Sequence, residues 1–120
     1  PVEMAEAAAK RGIRTVGIVS SEYFCDKDKT PMLFEVCDLF IDNCVPHGDA
    51  IIRLDGTDTK IGSVSTAAST FIMQSVLAEG AQKAIENGAE VSIYKSGNVR
   101  GGSEYNKKIV NRYLQRIKHL

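Results

Sequence analysis

The sequence lacks the features that mark several classes of protein. It has no tryptophan, only three prolines and three cysteines, and its 15 basic residues are balanced by 15 acidic ones. A net charge of zero provides no general attraction to nucleic acid or to an anionic membrane, so any anion must be bound locally. No apolar run is long enough to span a bilayer, and the N-terminus lacks the basic-then-apolar pattern of a secretory signal. We therefore expect a cytoplasmic protein with neither membrane nor nucleic-acid partners.

The few cysteines argue against two kinds of cross-link. Cys25, Cys37 and Cys44 are odd in number and form no Cys-x-x-Cys pair. That pattern disfavours both a disulfide framework and a structural zinc site. We expect buried or idle thiols, no metal site and no cofactor.

Helix and strand patterns alternate along a chain of single-domain length. Helices are predicted over residues 1–12, over 31–36, after Ser65 to about Asn87, and from Ser103, as its cap, onward. Strands are predicted over residues 14–20, 38–42 and 91–95, with a hairpin of 50–54 and 57–61 about Asp55-Gly56 and an irregular stretch at 22–30. This alternation is typical of a three-layer α/β fold with helices on both faces of a parallel sheet.

The most informative stretch is 62–79, where a hydroxyl-rich loop leads into a long apolar helix. Ser63 and Ser65 are good capping residues, and the unpartnered N–H groups of the first turn suit a phosphate. From Ala67 to Ala78 the helix is apolar on nearly every side, which predicts burial on all sides. Because a chain this small supplies too few partners for a second face, we expect a homodimer interface along residues 66–87.

Four stretches together resemble one known fold. They are residues 1–12, 15–21, which end in Ser-Ser, 38–42, and 61–66, with the sequence Ile-Gly-Ser-Val-Ser-Thr. These features are similar to the second half of the SIS (sugar isomerase) domain. That phosphosugar-binding fold occurs in phosphoheptose isomerases, glucosamine-6-phosphate synthase and the N-acetylmuramic-acid-6-phosphate etherases. Segments 42–50 and 98–106 resemble most closely a bacterial subgroup of SIS proteins labelled phosphoheptose-isomerase-like.

The resemblance implies a parallel, flavodoxin-like sheet, of which residues 1–120 supply only the later strands and helices as the C-terminal portion of a single SIS domain. It also implies a homodimer and a sugar phosphate bound at the carboxyl ends of the strands. The family's first strands and its Ser-x-Ser-Gly phosphate loop would precede Pro1. We therefore expect the missing N-terminal half of the domain to come from a longer protein or from a partner segment.

Two residues are candidates for proton transfer. Glu104 follows a glycine-rich loop and is the carboxylate expected to move a proton between adjacent carbons of the sugar. Stabilisation of the helix dipole is the alternative role for Glu104. The imidazole of His47, expected in a loop at the ligand end, suits ring opening or proton shuttling, although such a histidine can equally be an exposed loop residue.

Five residues are candidates for substrate binding. Ser63, Ser65 and Thr66 lie where the SIS family contacts its sugar, with simple helix capping as the alternative. Asn98 and Asn106 are suited to bond sugar hydroxyls, while Asn98 beside glycine equally suits a turn.

The resemblance and these residues favour a phosphosugar isomerase that works by metal-independent proton transfer through an enediol. The first alternative is a non-catalytic sugar-phosphate sensor, because SIS modules also serve in transcriptional regulators. A weaker alternative is an etherase-type lyase, suggested by the likeness of residues 98–106 to that family.

Overall fold

The computed structural model describes residues 1–22 and 31–117 and divides into two compact units, Pro1–Leu77 and the part from Ala78 onward. Its helices are α1 (Val2–Ala9), α2 (Leu33–Val36), α3 (Ser65–Glu86) and α4 (Gly102–Tyr113). Its strands are β1 (Val16–Val19), β2 (Leu39–Asp42), β3 (Ala50–Ile52) and β4 (Ile61–Ser63). Within the described residues β1 pairs with β2 in parallel and β3 pairs with β4 antiparallel. The α/β class is confirmed, and the three-layer, flavodoxin-like arrangement stays a prediction.

Strands β1 and β2 form at the two β-branched runs, where the sequence predicted them. Gly17 of β1 is buried, and a Cβ atom at that position would lie 2.9 Å from Cys37 Sγ and 3.3 Å from Leu33 Cγ. Helix α2 therefore packs against the backbone of β1, and this close approach explains why glycine interrupts the apolar run.

Thr15 and Asp38 join the amino ends of the two strands. Asp38 Oδ2 accepts hydrogen bonds from the Thr15 N–H at 2.7 Å and the Thr15 hydroxyl at 3.1 Å. The register that follows places Val19 opposite Asp42. As a result, the residues that continue from both strands share one edge of the sheet.

Helix α3 begins at Ser65, one residue before the predicted start, and ends at Glu86, within one residue of the expected end. None of its residues is buried, and Phe71 and Leu77 are 75% and 58% exposed. The prediction that this helix is buried on all sides is therefore wrong within the described residues, and the homodimer interface along it stays a prediction.

The predicted strand over residues 91–95 is wrong. The described residues contain no strand there, and the main chain of Lys95 is bonded to α4 instead of to a neighbouring strand. The Lys95 N–H donates to Asn106 Oδ1 at 2.8 Å, the Lys95 carbonyl accepts from Asn106 Nδ2 at 2.7 Å, and the hydroxyls of Ser92 and Tyr113 lie 3.2 Å apart. The parallel sheet thus has two strands in the part of the chain that the structure describes.

Three further expectations need adjustment or fall outside the structure. The hairpin about Asp55-Gly56 is confirmed, but its second strand begins at Ile61 and not at Thr57. The N-cap of α4 is Gly101, whose φ of 77° suits glycine, so the prediction of Ser103 as the cap is wrong. Cys25 and residues 23–30 of the predicted irregular stretch lie outside the described residues.

Candidate functional site

The carboxyl ends of β1 and β2 are joined by a network of polar side chains. The hydroxyl of the buried Ser20, which follows β1, donates to the Val45 carbonyl and accepts the Glu22 N–H at 3.1 Å. Val45, beyond β2, is also buried. This buried hydroxyl therefore fixes the chain leaving β1 to the chain leaving β2.

Asp42, the last residue of β2, makes a second link between the two strand ends. Its Oδ1 atom accepts the Ser21 N–H at 3.1 Å and the Cys44 N–H at 2.8 Å. Hydrogen bonds from the Ser21 side chain, and then from the Cys44 and Ser21 main chain, lower the pKa of Asp42 below its ordinary value. Asp42 is thus a carboxylate that orders main-chain groups.

Residues 43–49 form the loop that leads away from β2, and we call them the 43–49 loop. The side chain of Asn43 donates to the hydroxyl of Ser69 on α3 at 3.1 Å and accepts the Val45 N–H at 3.2 Å. Cys44 and Asp49 have φ values of 53° and 64°, a left-handed conformation unusual for residues other than glycine. Such backbone strain persists where surrounding bonds hold it, and strained loops are common at functional sites.

Asp49 ends this loop and occupies the start of α3. Its Oδ1 accepts the N–H groups of Val64 and Ser65 at 2.9 and 2.7 Å. Its Oδ2 accepts the Ser65 hydroxyl at 2.7 Å and also the hydroxyl of Ser63. The Ser63 and Ser65 side chains, followed by their neighbouring main-chain groups, lower the pKa of Asp49 to about 2. The carboxylate is therefore ionised at neutral pH. We call Asp49, Ser63, Val64 and Ser65 together the Asp49 cluster.

Of the predicted binding residues, Ser63 and Ser65 are brought together, with their Oγ atoms 3.5 Å apart. Thr66 follows them as the second residue of α3 and is exposed. Both serine hydroxyls donate their hydrogen to Asp49, which leaves their oxygens able to accept one from a ligand. Asp49 is not among the binding residues predicted from the sequence. Aspartate is a preferred capping residue, but this one is 16 residues from the helix start it serves.

The predicted catalytic histidine lies beside this network. His47 is exposed in the 43–49 loop, two positions before Asp49. The Asp49 N–H donates to the Pro46 carbonyl at 2.9 Å, which closes a tight turn around His47. The Asp49 cluster therefore anchors the loop that carries His47.

The remaining candidates belong to the second unit. Asn98 is exposed in the turn before α4, and Glu104 is exposed in the first turn of that helix, where an acidic side chain favours the helix dipole. Asn106, on the same helix, uses both ends of its amide to hold Lys95. Its structural role is thus evident, although the second Nδ2 hydrogen is still available to a ligand.

The second unit also contains a charged cavity of about 250 Å³. It is lined by Glu90, Val91, Ser92, Tyr105, Lys108, Ile109 and Arg112. Arg112 Nη1 and Glu90 Oε1 are 2.6 Å apart, and this contact raises the pKa of Arg112. The guanidinium is committed to Glu90, and Lys108 is the other cation among the described residues that line the cavity.

Neither a metal-binding cluster nor a membrane-spanning helix is found among the described residues. Within 1–22 and 31–117, no group of three or more His, Cys, Asp or Glu side chains is arranged to hold a metal ion. Over the same ranges, no helix combines the length and apolar character needed to cross a bilayer.

No family model matches the chain, but curated proteins do. It is 35% identical over 126 residues of alignment to the UPF0309 protein of Caldanaerobacter subterraneus subsp. tengcongensis, covering 100% of this chain and 51% of that relative. It is 36% identical over 121 residues to the UPF0309 protein of Geobacillus kaustophilus, covering 98% of this chain and 48% of that relative. The UPF0309 protein of Streptomyces coelicolor matches at 33% identity with the same two shares. The chain therefore spans about half the length of the curated relatives it matches.

Proposed function

We propose that this chain forms part of a sugar isomerase domain that binds a sugar phosphate and interconverts its aldose and ketose forms. The supporting observation is the ordered polar edge where β1 and β2 end, formed by Ser20 and Asp42, from which the 43–49 loop leads to the Asp49 cluster. In open α/β sheets, ligands bind outside the carboxyl ends of the strands. The resemblance of residues 61–66 to the SIS segment at that edge agrees with this location.

The proposed chemistry is a proton transfer between two neighbouring carbons. A base removes the proton from the carbon next to the carbonyl, an enediol forms, and the proton returns to the former carbonyl carbon, so the reaction needs no oxidant. Hydrogen bonds lower the pKa of both Asp42 and Asp49, which makes them poor bases. Glu104 is therefore our proposed base, and His47 is proposed to assist ring opening.

The sugar is proposed to contact Ser63, Ser65 and Thr66 through its hydroxyl groups, with Asn98 and Asn106 as further contacts. Two partners complete the proposal: the remainder of the domain, and a second copy of the protein packed along α3. The exposure of Phe71 and Leu77 supports such a covering partner, because large apolar patches on a surface usually mark an interface.

The test uses the full protein that carries this chain and a panel of hexose, heptose and amino-sugar phosphates. We expect saturable binding and turnover of at least one compound, and a dimer by light scattering. Glu104→Gln should lower turnover by at least about 100-fold while binding is retained. Glu6→Gln, a change of an exposed glutamate on α1, is the matched control and should leave turnover unchanged.

The outcomes separate the proposals. Absence of both binding and turnover across the panel would refute the sugar-phosphate function, and a monomer would refute the dimer. Binding without turnover would favour the sensor, which has one observation behind it: the ordered carboxylates at the strand ends are placed to hold main-chain groups and not to move protons.

A further inference from the structure

The start of α3 already contains an anion that belongs to the protein. The first turn of a helix presents N–H groups without helical partners, and a phosphate in such a place uses these groups as donors. Here the Asp49 carboxylate accepts two of them, from Val64 and Ser65, at 2.9 and 2.7 Å. The two serine hydroxyls next to them also donate to Asp49. Two of the four N–H groups at this helix start and both neighbouring hydroxyls are therefore already bonded to Asp49.

The position of Asp49 is set by its loop as well as by α3. Gly48 and Asp49 both have positive φ values, 83° and 64°, and the Asp49 N–H is bonded to the Pro46 carbonyl. The carboxylate therefore does not depend on a flexible chain end, and it approaches α3 from a turn that is itself closed. Displacing it would break the four hydrogen bonds to Oδ1 and Oδ2 and release the 43–49 loop.

An incoming phosphate would also meet the charge of Asp49. Like charges at hydrogen-bond distance repel, and this repulsion is stronger near a protein surface than in bulk water. Sugar hydroxyls are not affected in this way, because they donate hydrogen to the serine oxygens and carry no charge. The cluster thus distinguishes a phosphate from a neutral hydroxyl on chemical grounds.

We propose that Asp49 is a specificity-determining residue that closes the start of α3 to phosphate and admits only uncharged or cationic groups there. The inference deepens the proposed function, on which it rests for the nature of the substrate. It requires that the phosphate of the substrate be held elsewhere, so that the sugar end faces Ser63 and Ser65. It also makes Asp49 a positioning residue for the loop that carries His47.

The experiment titrates the full protein with inorganic phosphate and follows the amide NMR signals of Val64 and Ser65. In the native protein we expect these two signals not to respond to phosphate. In Asp49→Ala the charge is removed and both N–H groups lose the carboxylate, while the Val64 N–H keeps its longer 3.4 Å bond to the main-chain oxygen of residue 49. Both signals should therefore shift and saturate, with affinity at least about tenfold above the native protein. Asp49→Asn keeps the size of the side chain and should show a weaker gain.

The control is Asp55→Asn, which removes a carboxylate from the tip of the β3–β4 hairpin and should behave like the native protein. A saturable shift in the native protein equal to that in Asp49→Ala would overturn the proposal. So would the absence of a gain in both Asp49 variants, and Asp49→Asn decides the matter should Asp49→Ala fail to fold. Because the probe is phosphate alone and the readout is local, a negative result leaves the isomerase proposal standing, and failed turnover leaves this proposal standing.

Discussion

In each unit, side-chain hydrogen bonds hold irregular main-chain segments in place, but the side chains that do so differ. In the first unit these side chains are carboxylates: Asp42 accepts the N–H groups of distant Ser21 and nearby Cys44, and Asp49 accepts N–H and hydroxyl donors from 14 to 16 residues away. In the second unit the neutral amide of Asn106 pairs with both main-chain groups of Lys95 as a neighbouring strand would, and the Arg112–Glu90 ion pair adds a second link to α4. The hydrogen-bonded carboxylates of the first unit can respond to acid or to an anion, whereas the amide link of the second unit carries no charge.

The largest effect is expected where the second unit is packed most closely. Gly102 is buried at the start of α4, and a Cβ atom there would lie 2.2 Å from the Ser96 main-chain oxygen. Because a main-chain atom cannot move aside as a flexible side chain does, we expect Gly102→Ala to lower the free energy of unfolding by about 3 kcal/mol. Urea denaturation of the full protein measures the change.

Gly97→Ala is the matched control for that experiment, because a Cβ atom at Gly97 meets nothing within 4 Å. It should change the free energy of unfolding by less than about 0.5 kcal/mol. Equal effects of the two substitutions would show that close packing at Gly102 does not distinguish the second unit.

An intermediate effect is expected from acid, and it should arise in the first unit. The pKa of Asp49 is lowered from 3.8 to about 2, and the pKa values of Asp38 and Asp42 are lowered as well. When the pKa of a carboxyl group is lower in the folded state than in the unfolded state, the group stabilises the fold fully at any pH above its unfolded-state pKa. This contribution is lost as the pH falls through the folded-state pKa. Stability should therefore decline progressively between about pH 5 and pH 2.

Asp49→Asn tests the source of that decline. It removes the titrating group, so the dependence of unfolding free energy on pH should be less steep than in the native protein, while Asp55→Asn should keep the native slope. If the slope of unfolding free energy against pH is unchanged in Asp49→Asn, Asp49 does not contribute to the acid sensitivity. The contrast between the two units would then be weaker.

The smallest effect concerns the strained backbone of the 43–49 loop. Cys44 has a φ of 53°, which is costly for a residue with a side chain and worse for a β-branched one. We expect Cys44→Val to lower the free energy of unfolding by about 1 kcal/mol. Cys44→Gly should leave the protein at least as stable as the native form. Thermal unfolding of both variants checks this, and a more stable valine variant would contradict it.

Local patterns were sufficient for much of the fold. The apolar, β-branched runs predicted the positions of β1 and β2. The change from a hydroxyl-rich loop to an apolar run predicted the start of α3 to within one residue. The pair Asp55-Gly56 marked the reversal of the hairpin. Each of these signals lies within a few residues of the structure it specifies.

The strand predicted at 91–95 shows where local patterns fail. Val-Ser-Ile-Tyr-Lys has the composition of a strand, yet a strand exists only if another strand supplies its hydrogen bonds. Here Asn106, 11 residues away, satisfies Lys95 instead. Likewise, the seven predicted site residues were chosen by type and position, and the sequence could not show that Asn106 is committed to the main chain.

By itself, the sequence determined the α/β class, the start of α3 and the presence of hydroxyl groups there, because these depend on neighbouring residues. Only the tertiary structure decided which anion occupies that helix start. Asp49 reaches Val64 and Ser65 from 15 and 16 residues away, through a loop whose left-handed turns no short pattern specifies. The physical reason is that a carboxylate is stabilised by whichever donors the folded chain brings to it, and that approach is set by packing and not by order along the chain.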